Sequence, residues 1–270
     1  VIRVLSGAAL ILLVASAVWF APFLVMVAVA GVFLAAAVWE VVNLARAVGI
    51  HVPLLLPMTG ALTVLATFAL PETPTANASP GVALGVVLMA QTVATLGAGM
   101  GSWVPGDRNV LAGVAAGLFP SLYAALPLGA LVSIRASEGA AVVFLLMLTV
   151  IVSDTAQYYT GRLVGRSPLA PTISPKKTKE GAAGGIVFGT VFFVVAGAWW
   201  LGRVPVPLRV LVGLTIVVAG IAGDLFESML KRSAGVKDSS SIIPGHGGVL
   251  DRIDALLFAA PVFYALLQYM

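Results

Sequence analysis

Residues 22–42 read PFLVMVAVAGVFLAAAVWEVV, and the single charge in that run is Glu40. An α-helix needs roughly 20 apolar residues to cross about 30 Å of hydrocarbon. Such a run has no polar face to show to water. Comparable runs recur at 4–20, 53–70, 81–98, 109–132, 139–160, 182–202, 207–226 and 254–270, nine in all. The whole 270-residue chain agrees: 60% hydrophobic and 10% charged, with a mean hydropathy of +1.08. A soluble domain carries about 25% charged residues. The expected fold class is therefore all-α, a polytopic integral membrane protein of about nine transmembrane helices.

Punctuation along the chain supports these boundaries. Pro71, Pro74 and Pro80 bracket a polar loop, and Pro120 and Pro127 predict a kink or break in the fifth span. The first span carries one basic residue, Arg3, and runs into the second at Pro22, which does not fit a cleavable signal peptide. Cysteine is absent, which excludes disulfides and thiolate metal sites.

The net charge is +4 with a pI near 9.6. With the N-terminus inside and the spans alternating, all of the 15 Lys and Arg residues but Arg135, Arg203 and Arg209 fall on the cytoplasmic side. The positive-inside rule accounts for this excess without a nucleic-acid partner. Residues 1–150 hold few charges, mostly at span ends (Glu40, Arg46, His51, Glu72, Asp107, Arg108, Glu138), and read as a transmembrane scaffold. Residues 151–270 read as the catalytic transmembrane region with cytoplasmic loops.

Three polar segments carry the chemistry. Ser153-Asp154 interrupts an apolar span, where an acid is costly and faces a cavity or a partner. Ser174-Pro175-Lys176-Lys177-Thr178-Lys179-Glu180-Gly181 then offers hydroxyls, ammonium groups and close backbone approach at a helix start, suited to a phosphate chain or to lipid headgroups. On the eighth span Asp224, Glu227, Ser228 and Lys231 share one helix face, either a site or a helix–helix network. Asp251 and Asp254, three residues apart, open the ninth span. Paired carboxylates without cysteine favour a hard cation such as Mg²⁺, the alternative being helix-start acids favoured by the dipole.

The run Ser228-x2-Lys231-Arg232-x4-Lys237-Asp238-x-Ser240-x2-Ile243-Pro244-x-His246-Gly247-Gly248-Val249-x-Asp251-Arg252-Ile253-Asp254 resembles the signature of the phosphatidate cytidylyltransferases, or CDP-diacylglycerol synthases. The segment from Ser153 to Gly185 resembles the same family's Ser-Asp and Ser-Pro-Lys-Lys-Thr blocks. The resemblance implies the reaction of CTP with phosphatidate to give CDP-diacylglycerol and pyrophosphate. It implies Mg²⁺, with room for a second cation such as K⁺, held by Asp224, Asp251 and Asp254. It implies phosphate contacts from Lys176, Lys177, Arg232 and Lys237, and a nucleotide site lined by Ser153, Asp154, Ser174 and Thr178. Lys231 and His246 join the catalytic set, and Glu227, Ser228, Asp238, Gly247, Gly248 and Arg252 the substrate-binding set. It also implies a homodimer in the cell membrane, among membrane lipid, with the active site facing the cytoplasm. Other readings are a CTP-dependent enzyme acting on another lipid phosphate or a polyprenol, and an ion-coupled transporter.

The charge bias makes a test of sidedness. Single cysteines placed at Ser167 and Ser240 should resist an impermeant thiol reagent applied to intact cells and react once the cells are opened. Labelling of either from outside reverses the topology.

Overall fold

The computed structural model describes residues 2–69, 80–105, 108–245 and 247–270. The expectations placed on Pro71, Glu72, Pro74, Asp107 and His246 lie outside the described residues. In chain order the helices are α1 (Ile2–Trp19), α2 (Phe23–Ala47), α3 (Leu55–Thr67), α4 (Pro80–Ser102), α5 (Val110–Pro120), α6 (Leu126–Ser137), α7 (Ala140–Val164), α8 (Lys179–Trp200), α9 (Val206–Ser233) and α10 (Leu250–Leu267). Two short strands, β1 (Pro168–Ala170) and β2 (Ser174–Thr178), precede α8.

Every one of the nine apolar runs is occupied by helix, and the architecture is helical as expected. The number of crossings is another matter. Among the described residues six helices are long and apolar enough to span a membrane: Phe23–Ala47, Gly81–Ser102, Val110–Ser137, Ala140–Val164, Lys179–Trp200 and Val206–Ser233. The count of nine is not reached by this measure. The 13 residues of α3 rise only about 20 Å, short of the hydrocarbon thickness. The 18-residue α1 and α10 also fall outside the six.

The fifth run behaves as its prolines predict. α5 and α6 are joined through one π-helical turn, Ser121–Ala125, with Pro120 before it and Pro127 after it. Proline has no amide proton to give to the preceding turn. A π-bulge lets the helix continue past the missing bonds with a wider turn.

Large apolar side chains such as Phe20, Leu24, Met89 and Trp199 stand exposed around the bundle, as a lipid-facing surface requires. Two apolar clusters fill the interior. One joins α2, α3, the π turn and α6 to α10 through Leu34, Val38, Ala61, Tyr123, Leu250 and Leu257. The other joins α7, α8 and α9 to α10 through Leu145, Leu146, Phe193, Ile216 and Phe263. α10 thus belongs to both.

Two close helix approaches position the polar residues. Gly181, Gly185 and Gly189 recur every four residues on α8 and form a seam against α7. A methyl at Gly181 would lie 2.8 Å from the Gln157 carbonyl oxygen, and one at Gly185 would lie 3.0 Å from that of Ser153. Small residues at such a seam let the backbones meet. On α9, a methyl at Gly223 would lie 2.5 Å from the Asp254 carbonyl oxygen of α10.

The basic segment is not the plain loop-to-helix entry read from sequence. β2 pairs antiparallel with β1, Pro168 opposite Thr178 and Ala170 opposite Ser174. α8 starts directly from that hairpin. The Thr178 hydroxyl accepts from Gly181 N at 3.1 Å, an N-cap, and the Glu180 carboxylate accepts from Arg166 N at 3.0 Å and Ser167 N at 3.1 Å.

Gly223→Ala tests the α9–α10 contact, because backbone cannot step aside as a flexible side chain can. Overpacking of this kind costs about 1–3 kcal/mol. The variant should melt at lower temperature in detergent and separate Asp224 from Asp254. An unchanged melting temperature counts against the close approach.

Candidate active site

Two groups of charged side chains meet where α7, β2, α9 and α10 come together. In the first, Lys177 of β2 reaches across to α9 and pairs with the Asp224 carboxylate. Asp154 of α7 and Asp254 of α10 lie close enough for the charges of Asp224 and Lys177 to act on both. Gln157, one turn after Asp154, donates to Asp154 Oδ1 at 3.0 Å. Asp254 Oδ1 accepts from Ala255 N at 2.8 Å. Of the three carboxylates, Asp224 is the one paired with the Lys177 ammonium. Residues 154, 177, 224 and 254 come from four different elements, and the seams at Gly181–Gly189 and at Gly223 bring those elements into range.

The second group is centred on Lys231, two turns further along α9. Its ammonium pairs with Glu227 and lies 2.5 Å from Asp251 Oδ1. Glu227 is fully buried. Asp251 Oδ2 accepts from Gly248 N at 2.8 Å and from Ser239 N at 3.1 Å, and the Ser239 hydroxyl is 2.9 Å away. Asp224, Glu227 and Lys231 do share a face, as their spacing predicts, but they divide between the two groups. Asp251 and Asp254 divide likewise: Asp251 turns to Lys231 and Asp254 towards Asp224.

The structure places the remaining expected residues as follows. Ser153 is buried, with its hydroxyl 3.4 Å from Gln157 Nε2. Ser174 and Ser228 are half-buried, and Thr178 is the N-cap described above. Lys176, Lys237, Asp238 and Arg252 are exposed. Arg232, also exposed, turns back over the hairpin turn, with Nε 3.4 Å from the Ile173 carbonyl oxygen and Nη1 donating to that of Val236 at 3.1 Å. Gly247 has φ +80°, a conformation that favours glycine. Gly248 has no room for a side chain, because a Cβ there would collide with the Ser239 hydroxyl and the Glu40 carboxylate.

Sequence reasoning missed two neighbours. Glu40 of α2, read as a span-end charge, is fully buried and meets the signature loop about two hundred residues away. Tyr123 of the π turn is also buried, stacks on Phe119 at 4.9 Å, and senses the charges of Glu227, Asp254 and Asp224. Its hydroxyl has no hydrogen-bond partner among the described residues. For Glu40 a signal existed, since it is the single charge inside an otherwise apolar span.

Among the described residues no three acidic or imidazole side chains are gathered tightly enough to hold a metal ion as they stand. The donor set is nonetheless of the right kind. Asp224, Asp254 and, one turn before Asp254 on α10, Asp251 are hard oxygen donors, and a divalent cation would balance the charge that Lys177 and Lys231 leave uncompensated.

The chain is similar in sequence to several known proteins. Phosphatidate cytidylyltransferase of Aquifex aeolicus is 43% identical over 116 residues, covering 43% of each chain. The Helicobacter pylori protein of the same name is 39% identical over 155 residues, 57% of each chain. That of Mycobacterium bovis is 36% identical over 168 residues, 62% of this chain and 54% of its own. The chain thus spans about half the length of the curated relatives it matches. A family model described as the cytidylyltransferase family matches across residues 1–270, and the chain belongs to that family.

Proposed function

We propose that this chain is a phosphatidate cytidylyltransferase: CTP and phosphatidate enter, CDP-diacylglycerol and pyrophosphate leave. The observation that carries this reading is the meeting of Lys177, Asp224, Asp154 and Asp254 beside the Lys231–Asp251 pair in a membrane bundle. Paired acids and lysines at one place suit a reaction between two anions. A phosphate oxygen of phosphatidate attacks the α-phosphorus of CTP, and the bond to the β-phosphate oxygen breaks. No protein nucleophile is needed, because the lipid phosphate supplies it. Charge neutralisation and alignment then make up most of the catalysis.

In this reading Asp224, Asp251 and Asp254 would hold Mg²⁺, with room for a second cation such as K⁺. A bound divalent ion would neutralise phosphate oxygens and stabilise the leaving pyrophosphate. Lys177 and Lys231 now balance those acids. With a cation bound there, both ammonium groups would be free to meet phosphate oxygens. Exposed Lys176, Arg232 and Lys237 add positive charge at the mouth of the site, and the family resemblance adds His246 to the catalytic set and Arg252 to the substrate-binding set. Ser153, Asp154, Ser174, Thr178, Glu227, Ser228, Asp238, Gly247 and Gly248 shape the surface that receives the nucleotide and the lipid headgroup. The chain would work as a homodimer in the cell membrane, its site on the cytoplasmic side where CTP is found.

Purified protein given CTP, Mg²⁺ and phosphatidate should release pyrophosphate, and omission of any one should abolish release. Lys177→Ala should lower kcat/KM for CTP by an amount equivalent to about 1–3 kcal/mol. Asp224→Asn, Asp251→Asn and Asp254→Asn should each collapse turnover and weaken Mn²⁺ binding followed by electron paramagnetic resonance. Activity is normalised to folded protein, since breaking a buried ion pair itself costs about 3–5 kcal/mol. Near-normal turnover with an unchanged Mg²⁺ requirement in these variants removes the metal assignment.

A further inference from the structure

The Glu40 carboxylate lies in the interior of the bundle, on a helix otherwise read as scaffold, and it is 0% exposed. Its hydrogen bonds all go to the other end of the chain. Oε1 accepts from the Ser240 hydroxyl at 2.5 Å and from Val249 N at 2.9 Å. Oε2 accepts from Leu250 N at 2.7 Å and faces the Ser239 hydroxyl at 3.1 Å. Val249 and Leu250 are the cap and first residue of α10. Their amides have no partner within the helix, and an anion there also meets the positive end of the helix dipole. Glu40 thus caps α10 from a different helix.

The same contacts reach Asp251. The Ser239 hydroxyl stands between Glu40 Oε2 at 3.1 Å and Asp251 Oδ2 at 2.9 Å, and a serine has one proton to share between them. The Asp251 carboxylate takes two more bonds from the same loop, from Ser239 N and Gly248 N. Gly248 is fixed by close approach to both Ser239 and Glu40. Loop, helix start and Asp251 therefore share one support, and that support is anchored on α2.

We propose that Glu40 is a positioning residue. It locks Ser239, Ser240, Gly248 and the first turn of α10 so that Asp251 stands opposite Lys231 and Asp254 opposite Asp224. Its effect on catalysis rests on the cytidylyltransferase reading above, whereas its effect on the loop does not. Glutamate is the side chain that fits: two oxygens must accept from donors on both sides, and a neutral amide would turn an N–H₂ group towards a donor.

The test compares Glu40→Ala, Glu40→Gln and Glu40→Asp in the full chain, in lipid nanodiscs. Amide hydrogen exchange is read for peptides covering 238–253, with peptides from α7 and α9 as internal controls. Glu40→Ala should speed exchange at Val249 and Leu250 by about tenfold or more, since each loses a hydrogen bond, and leave the controls unchanged. With CTP and phosphatidate, kcat should fall about tenfold to a hundredfold, as for other residues that orient a site from behind. KM for CTP should change far less. Glu40→Asp, which keeps the charge, should recover more activity than Glu40→Gln.

Unchanged exchange at 249 and 250 in Glu40→Ala overturns the proposal. So does faster exchange throughout the bundle, which would make Glu40 a general stabiliser, and so does a local exchange change with full kcat. If the local exchange responds as stated while the unsubstituted protein makes no CDP-lipid, the anchor stands and the cytidylyltransferase reading falls.

Discussion

Carboxylates inside an apolar bundle must be neutralised where they stand, since neither lipid nor the packed interior can solvate them. The placement of α7 to α10 follows from that constraint. Lys177 answers Asp224, Lys231 answers Glu227 and Asp251, and backbone amides and hydroxyls answer Glu40. Apart from Lys231 and Glu227, which sit one turn apart on α9, each partner comes from a different part of the chain, so satisfying one acid fixes the relation of two elements. β2 is thereby tied to α9, α9 to α10, and α10 to α2.

Close backbone contact makes those partners reachable. Glycine at 181, 185 and 189 lets α8 lie against α7, and the hairpin that starts α8 carries Lys177 into range of α9. Glu180 holds the base of the hairpin by accepting from two of its amides. A longer, unpaired loop could carry the same lysine, but it would lose more conformational entropy whenever it ordered. Pairing through β1 and β2 removes much of that cost in advance.

Much of the helical architecture was legible in the sequence because lipid imposes a length and a composition that any crossing segment must obey. The runs, the break near Pro120 and the polar face of α9 all came from periodicity and proline chemistry. The short strands did not. Ser-Pro-Lys-Lys-Thr lacks the alternation of a buried strand, and its pairing partner Pro168-Leu169-Ala170 is only three residues long. The division of Asp251 from Asp254 was equally hidden. Spacing of three places both on one side of a helix, but the partner each one meets depends on α9 and on a loop whose path no local pattern encodes. Glu40 was visible as an anomaly and not as a contact, since its partners lie about two hundred residues away.

That separation has a consequence for how the molecule is made. A chain synthesised from its N-terminus delivers α2 to the membrane long before Ser239, Ser240 or the amides of α10 exist. During that interval Glu40 is an acid without its native donors in an apolar helix, where water or a membrane-resident helper must shield it. The arrival of α10 ends the interval by supplying the missing donors, and α10 thereby closes an electrostatic debt opened by α2. Biogenesis of this bundle is in that sense a race between translation and the tolerance of the bilayer for one exposed carboxylate.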